Sequence, residues 1–265
     1  LEQAAENRER GGDWDGAAAL WERVGERTRE VKALEKAGRW AKAASIHEEL
    51  GDQRKASAAW RKGMRPDRSG RSRGLAMEEA ERWADAAEAW AEIGEAERAA
   101  QDWEKAERWE RAAEAWLVAR SYARAARAFE KDQDWFNAAL NFGEAEAWDD
   151  AGRNWEKVDE WSRAARAWSN AGDRAAAARC WGRAGEWERA AGHYEAAGDH
   201  ASSGEAWRRA SRWAEAAREL EAAQQWKDAA EAYQKAERWW KAAMLFERVR
   251  EWPTAAECFE QARDL

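Results

Sequence analysis

The chain has 265 residues and a formal net charge of −8, with 45 Lys and Arg against 53 Asp and Glu, 2 Pro, 2 Cys and 22 Trp. An acidic balance disfavours a general nucleic-acid binder, whose affinity comes largely from phosphate neutralisation. No stretch is long and apolar enough to span a membrane. Two cysteines form no disulfide framework, so the composition points to a reducing, cytoplasmic location.

In chain order, residues 1–65 divide into five units of thirteen: LEQAAENRERGGD, WDGAAALWERVGE, RTREVKALEKAGR, WAKAASIHEELGD and QRKASAAWRKGMR. Positions 1 and 8 of a unit are large, usually aromatic, and positions 4 and 5 are small. Position 12 is often Gly and position 13 often Asp or Glu. Residues 66–82, PDRSGRSRGLAMEEAER, break the pattern. Their Ser, Gly and Arg content reads as an exposed loop over Pro66–Gly74, open to trypsin. Leu75–Arg82 is expected to extend the following helix backwards. From Trp83 to Asp264 the frame resumes, and only Trp240 of all the tryptophans falls outside positions 1 and 8. The domain reading is therefore 1–65 N-terminal repeats, 66–82 irregular insertion and 83–265 C-terminal repeats, in one continuous solenoid. A chain that starts at Leu1 rather than Met also reads as a piece of a longer protein.

Spacings of 1, 4, 5, 8, 11 and 12 trace one face of an α-helix, and no period-2 alternation suggests strands. An unbroken helix is excluded, since thirteen residues at about 100° each overshoot three turns by roughly 220°. The chain must break once per unit, at positions 12 and 13. Gly12, Gly25, Gly38, Gly51, Gly94, Gly172, Gly185 and Gly198 stand where a left-handed residue ends a helix. An acid at position 13 is then a cap or dipole partner for the next helix. Pro253, at position 2, is harmless in a first turn. Helices of about eleven residues are too short to stand alone and must pair as antiparallel hairpins of 26 residues. From Trp83 onward every second unit begins with Trp (helix A), whereas the alternate units begin variably (helix B). The fold expected is an all-α, right-handed α-solenoid whose units bury their faces only on neighbours. Trp at positions 1 and 8 is read as core, so that Trp161→Ala should cost about 3–5 kcal/mol.

The segment GDWDGAAALWERVGE, Gly12–Glu26, resembles the Gly-Asp/Tyr-x-x-Ala-x-x-x-Tyr/Phe cadence of the tetratricopeptide (TPR) superfamily. That resemblance extends over nearly the whole chain and implies a helical-repeat architecture with a general role in protein binding. The hairpin is shorter than the usual 34 residues, and Trp replaces most of the Tyr. No functional residue is transferred by the resemblance.

No Gly-rich phosphate loop is present. His47, His193 and His200 lie at or beside core positions without Cys or carboxylate at metal spacing, so no metal, cofactor or catalytic residue is expected. Cys180 and Cys258 share position 7 and are too far apart in a solenoid to pair. Two surface candidates remain. One is the cluster Arg61, Lys62, Arg65, Arg68, Arg71 and Arg73, which would carry the alternative reading, a nucleic-acid-binding repeat. The other arises where positions 2, 6 and 9, usually charged or small, become apolar: Leu117, Phe136 and Leu140, widened by Val118, and again Trp240 and Met244. The resemblance thus implies a protein-interaction scaffold and, by analogy alone, a sensor repeat within a larger signalling or defence protein. Its partner would be another protein, another domain of the same chain, or a second copy.

Overall fold

The computed structural model describes residues 1–263; Asp264 and Leu265, the end of the last sequence unit, lie outside them, as does the side chain of Pro66. Among these residues the chain is all-helical, a tandem array of twenty helices. It forms two compact units, Leu1–Gln133 and Asp134–Leu265, and within each unit every helix packs on the next. In the first, α1 is Glu2–Arg10, α2 Trp14–Val24, α3 Arg27–Lys36, α4 Trp40–Glu49, α5 Gln53–Lys62, α6 Pro66–Glu79, α7 Trp83–Glu92, α8 Ala96–Lys105, α9 Trp109–Val118 and α10 Tyr122–Lys131. In the second, α11 is Trp135–Glu144, α12 Trp148–Lys157, α13 Trp161–Ala171, α14 Arg174–Arg183, α15 Trp187–Ala196, α16 His200–Arg209, α17 Trp213–Ala222, α18 Trp226–Lys235, α19 Trp239–Arg248 and α20 Trp252–Arg263.

The break falls where the pattern places it. Position 12 has positive φ at each turn between helices, +85° at Gly25 and Gly172 but also +56° at Glu107 and +64° at Gln133. Glycine adopts that conformation freely, whereas other residues bear about 1–2 kcal/mol of strain. The strain persists because the turn satisfies helix-end carbonyls: the amide of Asp173, for instance, donates to the Trp168 carbonyl at 3.0 Å. Position 13 is the N-cap, and the chemistry there is narrower than the sequence implied. Asp13, Asp52, Asp134, Asp173 and Asp199 accept an amide hydrogen bond from the third helical residue. Glu26, Glu95, Glu160 and Glu186 make no such bond. One extra methylene carries the carboxylate past the amide that a cap must reach.

The expected loop at Pro66–Gly74 is not a loop. It is the first part of α6, a fourteen-residue helix that opens with Pro at its amino end and packs against both α5 and α7. Nor does Leu75–Arg82 extend the next helix, since α6 ends at Glu79 and Glu81 turns the chain at φ +54°. The residues taken as loop-formers instead serve close packing. Ser69 and Ser72 are buried. Ser57 and Ser69 exchange hydroxyl-to-carbonyl hydrogen bonds of 2.8 and 3.0 Å, and Ser72 donates to Glu48 at 2.9 Å. A Cβ on Gly74 would lie 2.5 Å from Trp90 Cε2, and one on Gly70 2.2 Å from Ile93 Cγ2. The glycines here give neighbouring side chains room.

Small residues at positions 4 and 5 form the seam of the array: Ala17, Ala43, Ala86, Ala112, Ala138, Ala164, Ala190 and Ala216 are all fully buried. Position 8 fills the space between helices, with Trp21, Trp90 and Trp116 at most 1% exposed. Position 1 is different. Trp14, Trp40, Trp83, Trp109, Trp135, Trp161, Trp187, Trp213 and Trp239 are only half-buried. The expectation that both aromatic positions are core is corrected on this point, because position 1 sits at the helix end, where the turn leaves one ring face to the solvent side.

Candidate functional site

Two repeating side-chain interactions define the surface on which any site must lie. The first is a ladder of indole–carboxylate hydrogen bonds. Position 8 of one helix donates to a Glu at position 9 of the helix before: Trp21 to Glu9 (2.8 Å), Trp60 to Glu48 (2.8 Å), Trp90 to Glu78 (2.7 Å), Trp116 to Glu104 (2.7 Å) and Trp168 to Glu156 (2.6 Å). Tyr233 repeats it with Glu221 at 2.7 Å. His47 takes the same place, its Nε2 3.2 Å from Glu35. The carboxylate satisfies the one polar atom of a buried indole. Sequence reading assigned position 9 to the outer polar face and missed this role. The available signal was the recurrence of Glu twelve residues before a position-8 aromatic.

The second interaction is cationic. A Lys or Arg at position 10 of helix B lies over the half-exposed position-1 ring of its A partner, as with Lys36 over Trp14 (4.2 Å), Lys105 over Trp83 (4.2 Å) and Arg183 over Trp161 (4.5 Å). An Arg at position 3 of the following helix stacks on position 8, as Arg98 does on Trp90 (4.6 Å) and Arg124 on Trp116 (4.6 Å). Much of the chain's basic charge is therefore engaged with rings, each contact worth about 0.5–2 kcal/mol.

That engagement reaches the basic cluster, which lies on α5 and α6 and the turn between them rather than on a loop. Lys62 lies 4.4 Å over Trp40, Arg68 lies 4.7 Å over Trp60, and Arg73 pairs with Glu92. Arg61, Arg65 and Arg71 are exposed.

Among the apolar candidates, Val118 is 75% exposed on α9, while Leu117 beside it is half-buried. On α11, Phe136 and Leu140 are 40% and 43% exposed. Phe136 is held edge-on against Trp155 at 5.1 Å, with Arg163 over its ring. On α19, Trp240 and Met244 are 62% and 53% exposed, and Trp240 is held edge-on against Phe259 at 5.2 Å. Phe136 and Trp240 thus make the same contact, from position 2 of one helix to position 8 of the next.

The remaining titratable groups are structural neighbours of the ladder. Cys180 is buried and donates to Glu156 at 3.4 Å; burial and that carboxylate push its thiol up to about 12, so it stays protonated. Cys258 is buried and unpaired. Burial raises the Glu78 carboxyl, and nearby Asp102 adds to the rise. His200 Nδ1 lies 2.9 Å from Glu219.

Among the described residues, no helix is long and apolar enough to cross a membrane. The fold and this side-chain pattern define a tandem helical-repeat protein. No family model matches the chain, and no curated protein matches it. A solved structure described as a "circular tandem repeat protein with novel repeat topology and enhanced subunit contact surfaces" matches at 17% identity, over 99% of this chain and 64% of that one. This chain thus spans under two thirds of that structure's length, and at a TM-score of 0.11 the likeness carries no weight.

Proposed function

We propose that the protein is a non-catalytic, TPR-like interaction scaffold, the repeat or sensor portion of a larger cytoplasmic signalling or defence protein, and that it binds another protein. One observation carries this reading. Trp240 and Met244 stand one helical turn apart on α19, more than half exposed, at repeat positions usually charged or small. Trp240 is fixed by its edge-on contact with Phe259. An exposed but rigid aromatic beside a flexible Met is the composition of an interface anchor. Phe136 and Leu140 present a second such pair on α11, and Val118 with half-buried Leu117 a smaller apolar step on α9. The test compares affinity capture from the source cell by the intact chain and by the Trp240→Asp, Met244→Ser variant, quantified by mass spectrometry. A defined partner depleted at least tenfold, with helicity and Tm unchanged, supports the reading. Equal recovery of every protein by the two chains refutes it.

Nucleic acid is the alternative ligand, resting on Arg61, Arg65 and Arg71. It is disfavoured because Lys62, Arg68 and Arg73 are already engaged within the fold. Saturable, salt-sensitive anisotropy with an RNA oligomer at physiological ionic strength would reverse that ranking.

A further inference from the structure

The indole–carboxylate ladder leaves a buried indole unsatisfied on α14. Trp181 occupies position 8 of that helix and is 4% exposed, yet its Nε1 has no hydrogen-bond partner. Its partner should stand at position 9 of α13, where the chain has Ser169 instead of Glu. The Ser169 hydroxyl donates to the Ala165 carbonyl at 2.8 Å and lies 3.4 Å from His193 Nε2 on α15. This cross-contact between position 9 and position 7 two helices on also occurs where the ladder is intact, between Glu48 and Ser72 and between Glu156 and Cys180. Ser169 and His193 therefore occupy the place of a carboxylate and its neighbour, with the negative charge missing.

Three further residues meet there. Position 1 of α14 is Arg174, where α12 and α18 carry Trp148 and Trp226. Position 6 of α15 is Gly192, and position 10 is Ala196. Removing those side chains leaves an open hollow lined by Ser169, Arg174, Arg189, Gly192, His193 and Ala196. A Cβ built on Gly192 meets nothing within 4 Å. Packing therefore does not require glycine at this helix-interior position, where it costs about 1 kcal/mol relative to Ala. Gly152, by contrast, is pressed by Trp168, and Gly204 by Leu220. Arg174 is held at the rim by donating to the Ala196 carbonyl at 2.8 Å. Asp173 also lines the hollow, but its carboxylate is committed to the Ala176 amide at 2.9 Å. Burial, and then Arg174, lower the His193 pKa, so the imidazole is neutral and free to donate from one nitrogen. The Ser169 hydroxyl is spent on Ala165, and Arg189 lies 4.7 Å over the Trp181 ring and 3.8 Å from Glu186, so the groups left without a carboxylate here are the Trp181 indole and the His193 imidazole, at a place where α4 and α12 supply the carboxylates of Glu48 and Glu156.

We propose that this hollow between α13 and α15 binds an external oxyanion, a carboxylate or phosphate group, in the place of the missing position-9 glutamate. The indole of Trp181 and the imidazole of His193 meet it from the floor, as Trp168 and Cys180 meet Glu156, and the guanidinium groups of Arg174 and Arg189 meet it from the rim. The site is independent of the apolar pairs on α11 and α19, so it stands whether or not those bind a partner.

The decisive variant is Ser169→Glu, which restores the rung from within. The intact chain and its Ser169→Glu, Arg174→Gln and Gly192→Leu variants are titrated with sodium phosphate and, separately, sodium acetate, against sodium chloride at matched ionic strength. Isothermal calorimetry and the His193 side-chain NMR signals follow binding. The expected result is saturable binding by the native chain and at least tenfold weaker binding by all three variants. Ser169→Glu should also raise Tm without any added anion, since it gives Trp181 its acceptor. Whichever anion saturates identifies the oxyanion class, and general salt effects act on all four chains alike. Absence of saturation with both anions overturns the proposal, and so does equal binding by native chain and Ser169→Glu. Circular dichroism of each variant shows that a loss of binding is not a loss of fold.

Discussion

The two aromatic positions of one helix, Trp161 and Trp168 on α13, should differ in what they contribute, and the difference tests the packing scheme. Trp168 is 9% exposed, donates to Glu156 at 2.6 Å and presses on the backbone of α12, where a Cβ on Gly152 would lie 2.7 Å from the indole. Its burial removes about 150–250 Å² from water, an upper bound of about 4–6 kcal/mol, and truncations of large buried aromatics cost about 3–5 kcal/mol. Gly152 has no side chain to relax into the void, which puts Trp168→Ala toward the top of that range. The stranded carboxylate adds little, because Glu156 keeps the Cys180 thiol at 3.4 Å. Trp161 is half-buried, with Arg183 lying 4.5 Å over its ring. Half of that truncation cost plus about 0.5 kcal/mol for a partly exposed cation–π contact gives about 2–3 kcal/mol for Trp161→Ala, below what an all-core reading assigns. Urea denaturation followed at 222 nm, with midpoints compared at unchanged m-value, measures both. Equal losses for the two variants, or a larger loss for Trp161, would refute the assignment of position 8 to the core and position 1 to the rim.

Gly152→Ala should destabilise the chain despite its better helix propensity, since the methyl meets Trp168 at under 3 Å. Gly192→Ala, into open space, should stabilise it by about 0.5–1 kcal/mol; opposite signs in thermal melts are the check. Asp173→Ala should cost about 1 kcal/mol through its lost cap, whereas Glu186→Ala, which removes no cap bond, should be near neutral in the same assay. The folded-state pKa of His193 lies below its ordinary value, so the unfolded chain takes up the proton first as pH falls. Its contribution is full above about pH 6.5 and is lost as pH drops below it, so His193→Gln should flatten the fall in stability between pH 7 and 5.

The repeat geometry was legible because it depends on residues that are special for local reasons. Gly25 or Gly172 at position 12 announces a left-handed turn through its missing side chain, and Ala at positions 4 and 5 announces close helix approach. The same turn at Glu107 or Gln133 carries no local sign and is recovered only by keeping the frame. The candidate sites were less legible. Glu at position 9 looks like any solvated helix acid, and its role appears only when the indole of the next helix is placed beside it. The hollow at Gly192 was invisible for a related reason. It arises from small residues on two helices, Ser169 on α13 and Gly192 and Ala196 on α15, and sequence shows substitutions one unit at a time. The basic cluster was misplaced because Ser, Gly and Arg are loop-forming in isolation, whereas in α6 Ser69, Gly70, Ser72 and Gly74 are the small, buried residues of a packed face.

The irregular length of α6 itself follows from helix geometry. Its first part keeps the frame that starts at Pro66, placing Ser72 at position 7 against Glu48. Its last part keeps the frame that leads into Trp83, placing Glu78 at position 9 as acceptor for Trp90. The two frames differ by four residues, and four residues turn a helix through about 400°, only about 40° past a full turn. An insertion of that length shifts the buried face little, so one helix can satisfy both neighbours; two extra residues, about 200°, would have rotated Ser72 and Glu78 onto different sides. The inserted helix also changes the alternation. Trp begins α2 and α4 before it and α7 and α9 after it, so within the first unit the Trp-bearing helices pass from even to odd places in the array. Deleting four residues, Ser72–Leu75, removes the insertion and brings the two frames into register as one ordinary unit of thirteen. Glu78 then stands at position 9 of that unit and should keep Trp90, while Ala76 takes the place of Ser72, so hydrogen exchange in α4 to α7 should show protection close to that of the intact chain. Protection lost from α4 to α7 alone after that deletion would refute the two-frame account of this helix.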